Sequence, residues 1–222
     1  PDRSSPALAK MRREIEAAGM SVTMVTSYPD FTHPDPAQRQ RELDLEVEAV
    51  NAAAALGAKY VRVTAGQSHP QTGRSEGIAW ATKGLIQLVE ATRAMDVTLV
   101  YENHSKPGAW QYTDFSEPPD IFLEIVEGTA DCGLAVNFDT ANATAFSQDA
   151  VQLLEQVLDR VETIHASDTT ARGQLQHALL GTGLVPFPAL FTTLKQAGWD
   201  GWICMEEAAF QGQTGVESAA RY

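Results

Sequence analysis

The stretch Val97–His104, VTLVYENH, is a short apolar run that ends on a carboxylate, Glu102, with Asn103 and His104 directly behind it. Three later stretches share that form. Leu134–Asp139 (LAVNFD) ends on Asp139, Val161–His165 (VETIH) ends on His165, and Trp202–Glu206 (WICME) ends on Glu206. Short apolar runs of this kind read as buried strands. If the strands are parallel, their carboxyl ends share one rim, and the four donors converge on one spot.

The rest of the chain supports parallel strands. Upstream, Ser21–Val25 and Tyr60–Thr64 read as two further strands, and Ser27–Pro36, rich in Pro, Asp and aromatics, as a rim loop. Helices fit between the strands. One runs from Ser5-Pro6 to Gly19, with Leu8, Met11 and Ile15 on one face. Another starts at Asp35-Pro36, carries Leu43, Val47, Val50 and Ala54, and stops at Gly57. Capping residues, a proline in the first turn and a glycine past the last are the usual punctuation. Further helices are expected at about 76–95, with Trp80 in the core, and at 118–127, 149–160 and 188–197. Six strand–helix alternations imply a parallel sheet with helical cover.

The fold class expected is therefore α/β, a TIM-type (β/α) barrel formed by residues 1–222 as a single domain. A closed barrel needs eight strands and typically ~250 residues, so the first two strands are not represented. A late start is the preferred explanation; an open barrel and a gap covered by a neighbour are the others.

Composition narrows the partners. The 222 residues are 44% hydrophobic and carry a net charge of −13, enough for a substantial core and unfavourable for binding a phosphate backbone. No basic cluster or long apolar run points to nucleic acid or a membrane, and the amino-terminal PDRSSP has no signal-peptide pattern. The two cysteines, Cys132 and Cys204, read as buried reduced thiols and suit the cytoplasm. A homo-oligomer is compatible with all of this.

Each rim residue taken alone has an ordinary explanation. Glu102 could face solvent, Asp139 could cap a following helix, His165 could be a hydrogen-bonded loop histidine, and Glu206 could form an acidic surface pair with Glu207. Taken together, four consecutive tips with donor side chains indicate a shared site. Three carboxylates on one rim repel one another, and a divalent cation offsets that repulsion. Carboxylates plus one imidazole, without thiolate, favour Mn²⁺, Mg²⁺ or Co²⁺, with Zn²⁺ an alternative.

At this point the motifs YENH, NFDTAN, IHASD, HALLGTGLVPF and GWICMEE are similar to those of the xylose-isomerase-like sugar phosphate isomerase/epimerase family, over roughly 11–207. The resemblance implies that Glu102, Asp139, His165 and Glu206 bind one divalent metal, that Glu102 and Glu206 also move protons, and that the substrate is a small sugar or keto-polyol. Many epimerases of the family have Asp-x-x-His where this chain has Asp139 to Asn142; Asn142 can donate to a hydroxyl but cannot act as acid or base. Other candidate substrate contacts are His104, Arg172 and His177. Each has a structural alternative, a loop histidine or a surface salt bridge. Lys106 and Trp110 could roof the pocket, and Gly181-Thr182-Gly183 reads as a turn. The leading function is a metal-dependent isomerase or epimerase acting through an enediolate. The alternatives are a lyase or dehydratase on the same intermediate, a glycosidase using Glu102 and Glu206, and a non-catalytic barrel subunit.

Overall fold

A computed structural model describes residues 5–222; the start of the PDRSSP stretch lies outside them. In chain order the elements are α1 (Ser5–Ala17), β1 (Met24–Thr26), α2 (Pro36–Leu56), β2 (Tyr60–Val63), α3 (Arg74–Thr92), β3 (Thr98–Glu102), α4 (Pro119–Gly128) and β4 (Ala135–Asp139). Then follow α5 (Thr140–Phe146), α6 (Ala150–Val157), a 3₁₀ turn, β5 (Val161–Ala166), β6 (Asp168–Thr169), β7 (His177–Ala178), α7 (Phe187–Gln196), β8 (Trp202–Met205) and α8 (Gln213–Arg221). Strands β1-β2-β3-β4-β5-β8 form one parallel sheet in that order, and β6-β7 form a small antiparallel hairpin.

Side chains on a strand point alternately to opposite faces, and here the two faces differ in chemistry. Val61, Val63, Leu99, Tyr101, Val136, Phe138 and Ile164 face the helices and pack with Val50, Ala53, Leu85, Phe122, Ile125, Leu154 and Leu190. The alternate residues Arg62, Glu102, Asn137, Asp139, Thr163 and His165 are buried on the other face. The sheet curls around that polar face. Tyr60 Oη on β2 donates to Glu162 Oε2 at 3.3 Å on β5, two strands beyond its neighbour. The sheet does not close. Its edge strands β1 and β8 face each other across a gap of about 410 Å³ lined by Ser21–Met24 and Trp202–Cys204.

A register shift between Val136 and Asn137 sets the phase of β5. Val136 pairs with Val161, but Asn137 pairs with Thr163, leaving Glu162 as the extra residue. Such a bulge re-aims the side chains beyond it. Here it brings Thr163 and His165 onto the face that holds Asn137 and Asp139.

Three rim loops lock together above the sheet. The Asp30 carboxylate accepts from Gln67 N (2.9 Å) and Gln67 Nε2 (3.0 Å), and contacts His69 Nε2 at 2.8 Å. Gln67 Oε1 accepts from the backbone of Gln111 and Tyr112. Gly66, at φ +133°, lets two loops approach: a Cβ there would lie 2.3 Å from Thr32 Oγ1. The third loop is pinned by Asp114, fully buried, whose Oδ1 accepts from Ser116 N and Oγ.

Three expectations need correction. Cys204 is exposed, because β8 is an edge strand with every residue exposed; Cys132 is half-buried, and both are free. Trp80 is not core: it is half-buried under the Arg39 guanidinium, 3.9 Å from the ring centroid. The helix expected at 149–160 is α-helical to Val157 and finishes as a 3₁₀ turn over Leu158–Arg160, and two helices, α5 and α8, stand where none is expected. Among the described residues no helix is long and apolar enough to cross a membrane.

Burial pushes the Asp114 carboxyl up to about 8, with the nearby Glu102 charge adding to the effect and the Ser116 hydrogen bonds opposing it. In the unfolded chain an aspartate titrates near roughly 3.9. Between those values the native state holds a proton that the unfolded chain has lost, so this group's contribution to stability falls as pH rises. Asp114→Asn should be near neutral at pH 4.5 and stabilising by roughly 1–3 kcal/mol at pH 8. Thermal melts of both proteins at the two pH values check this; a gain that does not grow with pH overturns it.

Candidate metal centre

Glu102 is the last residue of β3. Its Oε1 accepts from Asn137 Nδ2 at 2.8 Å and lies 2.7 Å from His165 Nδ1; its Oε2 lies 3.0 Å from Arg62 Nε. Asn137 is in turn fixed by Thr163 Oγ1, which donates to its Oδ1 at 2.7 Å. One carboxylate is thus approached from β2, β4 and β5.

Asp139 ends β4 and serves two elements. It is the N-cap of α5, with Oδ1 accepting from Asn142 N at 2.6 Å, while Oδ2 accepts from Ser167 Oγ at 2.8 Å. Asn103, just past Glu102, joins the two tips: its side chain donates to Asp139 O (2.9 Å) and accepts from Asp139 N (2.8 Å). The helix-capping alternative for Asp139 and its place in the cluster therefore hold together.

His165 lies between the carboxylates. Ligand atoms of Glu102, Asp139 and His165 all fall within 4.8 Å of one another, and the three residues are buried. Glu206 stands at the edge of this group, its Oε2 3.7 Å from His165 Nδ1 and its side chain 46% exposed. Its backbone N donates to Ala166 O, so the β8 tip is fastened to β5.

The electrostatics show groups crowded beyond what burial favours. Burial alone would raise the Glu102 carboxyl, but Arg62 and His165 outweigh it and hold Glu102 well below the usual range. Burial, with the charges of Glu206 and Glu102, pushes Asp139 well above it. Burial would lower His165, yet Glu102, Glu206 and Asp139 together raise it to about 9. These shifts mark crowded negative charge that a cation could offset. His165 Nδ1 is buried without a hydrogen bond of good geometry. Buried polar atoms normally find partners, so this atom fits ligation; Glu102 Oε2 also lacks such a bond but faces the Arg62 guanidinium. Carboxylate oxygens with one imidazole and no thiolate suit a hard or borderline divalent ion.

The remaining candidates separate. His104 sits beside the cluster, its ring 5.6 Å from that of Tyr28, which in turn lies 6.2 Å from Trp110. Burial pushes His104 down to about 4 despite the Glu102 charge, so it is neutral at pH 7. Its Nδ1 and the Oδ1 of Asn142 are buried and unpartnered, and both residues line one narrow crevice. His177 is exposed on β7, close enough for its charge to be felt at His104. Arg172 is not brought to the cluster. Its Nη1 donates to Thr144 O and Ser147 O at the end of α5. The glycine turn packs on Asp168, whose carboxylate accepts from Gly183 N and Val185 N; a Cβ on Gly183 would lie 2.3 Å from it.

Sequence reasoning missed Arg62, Asn137 and Asn103. Arg62 and Asn137 carry a signal nonetheless: each is a polar residue inside an apolar strand.

The profile of the family described as xylose isomerase-like TIM barrel matches residues 1–222. The chain belongs to the xylose isomerase-like TIM barrel family. Among curated members, a candidate L-ribulose-5-phosphate 3-epimerase of Escherichia coli K12, SgbU, is 25% identical over 218 residues, covering 92% of this chain and 70% of that protein. A candidate hydroxypyruvate isomerase of Streptomyces coelicolor is 22% identical over 209 residues, covering 90% and 73%. Among solved structures, the IOLI protein with a bound zinc atom superposes at a TM-score of 0.81 and 15% identity, covering 96% of this chain and 79% of that one.

Two results are expected of this centre. His165→Ala should weaken Mn²⁺ binding by at least about tenfold in isothermal calorimetry; unchanged affinity would remove His165 from the ligand set. Because a cation must displace protons that His165 holds up to about 9, the apparent Mn²⁺ affinity should rise with pH between 6 and 9. A flat profile would contradict the crowding.

Proposed function

We propose that this chain is a divalent-metal-dependent isomerase or epimerase of a small sugar or keto-polyol. The observation that carries the reading is the buried Glu102–Asp139–His165 cluster with Glu206 at its open edge. The relatives named for ribulose-phosphate epimerisation and hydroxypyruvate isomerisation support the reaction class. The zinc in the IOLI structure supports ligation by a divalent ion. Mn²⁺, Mg²⁺ or Co²⁺ is the ion proposed from the donor set, with Zn²⁺ the alternative.

Glu102, Asp139, His165 and Glu206 would hold the ion. Once bound, it would supply a Lewis acid for a carbonyl and its neighbouring hydroxyl, favouring loss of the proton between them. The chain's own groups do the rest. Glu206, half exposed at the mouth, takes the proton from the substrate carbon. Glu102, held by Asn137 and Arg62, would exchange a proton from the other face of the substrate. Return to the same carbon inverts it; return to the neighbour isomerises it. Neutral His104 and the unpartnered amide of Asn142 offer hydrogen bonds to substrate hydroxyls, and the exposed His177 can add another. The Tyr28 and Trp110 rings form an apolar wall on the same side. Arg172 is left out, since backbone carbonyls occupy it.

The test is deuterium wash-in at the substrate carbon, using a panel of ketoses and hydroxypyruvate with Mn²⁺. Glu206→Gln should slow exchange by at least about 100-fold while Mn²⁺ is largely retained. Wild-type exchange in the variant would remove Glu206 from the proton path. Exchange accompanied by water loss would point to the dehydratase reading instead.

A further inference from the structure

We infer that Arg62 is a positioning residue of the metal centre, which holds Oε2 of Glu102 so that Oε1 is the oxygen turned to the ion. The inference rests on the metal-centre reading above.

Arg62 stands on β2, one strand before Glu102, and its side chain is 3% exposed. A buried arginine in a strand needs a partner for its charge and its donors. Three contacts hold this guanidinium. Nε lies 3.0 Å from Glu102 Oε2, Nη1 donates to Ser27 O at 3.0 Å, and the Tyr28 ring covers the guanidinium face at 4.2 Å. The rim loop between β1 and α2 thus clamps the arginine from one side and Glu102 meets it from the other. Meanwhile Asn137 holds Oε1 on the side of His165. The two oxygens of Glu102 are therefore not equivalent. Oε2 lies against a fixed cation, and Oε1 lies against the ring nitrogen of His165, whose ligand atom is close to that of Asp139.

Charge points the same way. Glu102, Asp139 and Glu206 carry three negative charges when ionised. A divalent ion offsets two, and the guanidinium offsets the third. A side chain that only filled space at Arg62 would leave the loaded centre with one uncompensated negative charge.

The test uses Co²⁺ alone, read by its visible absorption, so that no substrate need be known. Wild-type protein is titrated with Co²⁺, and so are Arg62→Met and Arg62→Lys, with folding checked by circular dichroism. Freed from the guanidinium, Glu102 can bring its second oxygen to the ion. A higher coordination number weakens the Co²⁺ bands, so Arg62→Met should show absorptivity lower by about twofold and shifted bands. Arg62→Lys, which keeps the cation beside Oε2, should retain the wild-type spectrum. Should the methionine variant fail to fold, Arg62→Gln takes its place with the same expected spectrum. An unchanged spectrum in the neutral variants, a folded neutral variant that no longer binds Co²⁺, or a lysine variant with the altered spectrum overturns the inference. Absence of Co²⁺ binding by the wild type would instead overturn the metal centre itself.

Discussion

A carboxylate taken out of water is stable only where donors and countercharge meet it. Glu102 and Asp139 are both buried, and most of the inward face of the sheet is occupied with meeting them. Arg62 from β2, Asn137 from β4, His165 from β5, Ser167 just beyond β5 and the first-turn amide of α5 all converge on two side chains. This arrangement requires adjacent parallel strands whose tips are level, and the β5 bulge and the Asn103 bridge supply the levelling.

The two glutamates differ in freedom. Glu102 is gripped from three strands, whereas Glu206 is half exposed and has one close neighbour in the cluster, His165. The fixed glutamate suits holding an ion and defining one wall of a pocket. The freer one can move between the cluster and solvent. The rim loops add a second level of order, because the Asp30–Gln67–His69 ties fasten the loop that carries Tyr28 to the loop that carries Trp110.

The strand tips were legible in the sequence because each apolar run stops on a charged or imidazole side chain. The order of the sheet followed from strict alternation. What escaped notice lacked either signal. Helix α5 begins on the residue after Asp139 and, as TANATAF, offers no apolar stripe. The β6–β7 hairpin has strands of two residues, too short for alternation to register. Arg62 reads within YVRV as an isolated charge, and the register of β2 against β3 brings it to Glu102. Cys204 and its neighbours in WICM look like a buried strand, yet they lie at a sheet edge where nothing covers them. Arg172 looked free for substrate, and the end of α5 gives it carbonyl partners that sequence spacing does not reveal.

The division of each strand between an apolar outer set and a polar inner set has a consequence for how such a protein can change over time. Residues that keep the helices attached and residues that surround the buried carboxylates alternate along the same few segments. A substitution at Val61, Leu99 or Phe138 meets the helix packing, whereas one at Asn137 or Thr163 meets the hydrogen bonds around Glu102. The concave side can therefore vary in chemistry while the convex side is held to shape.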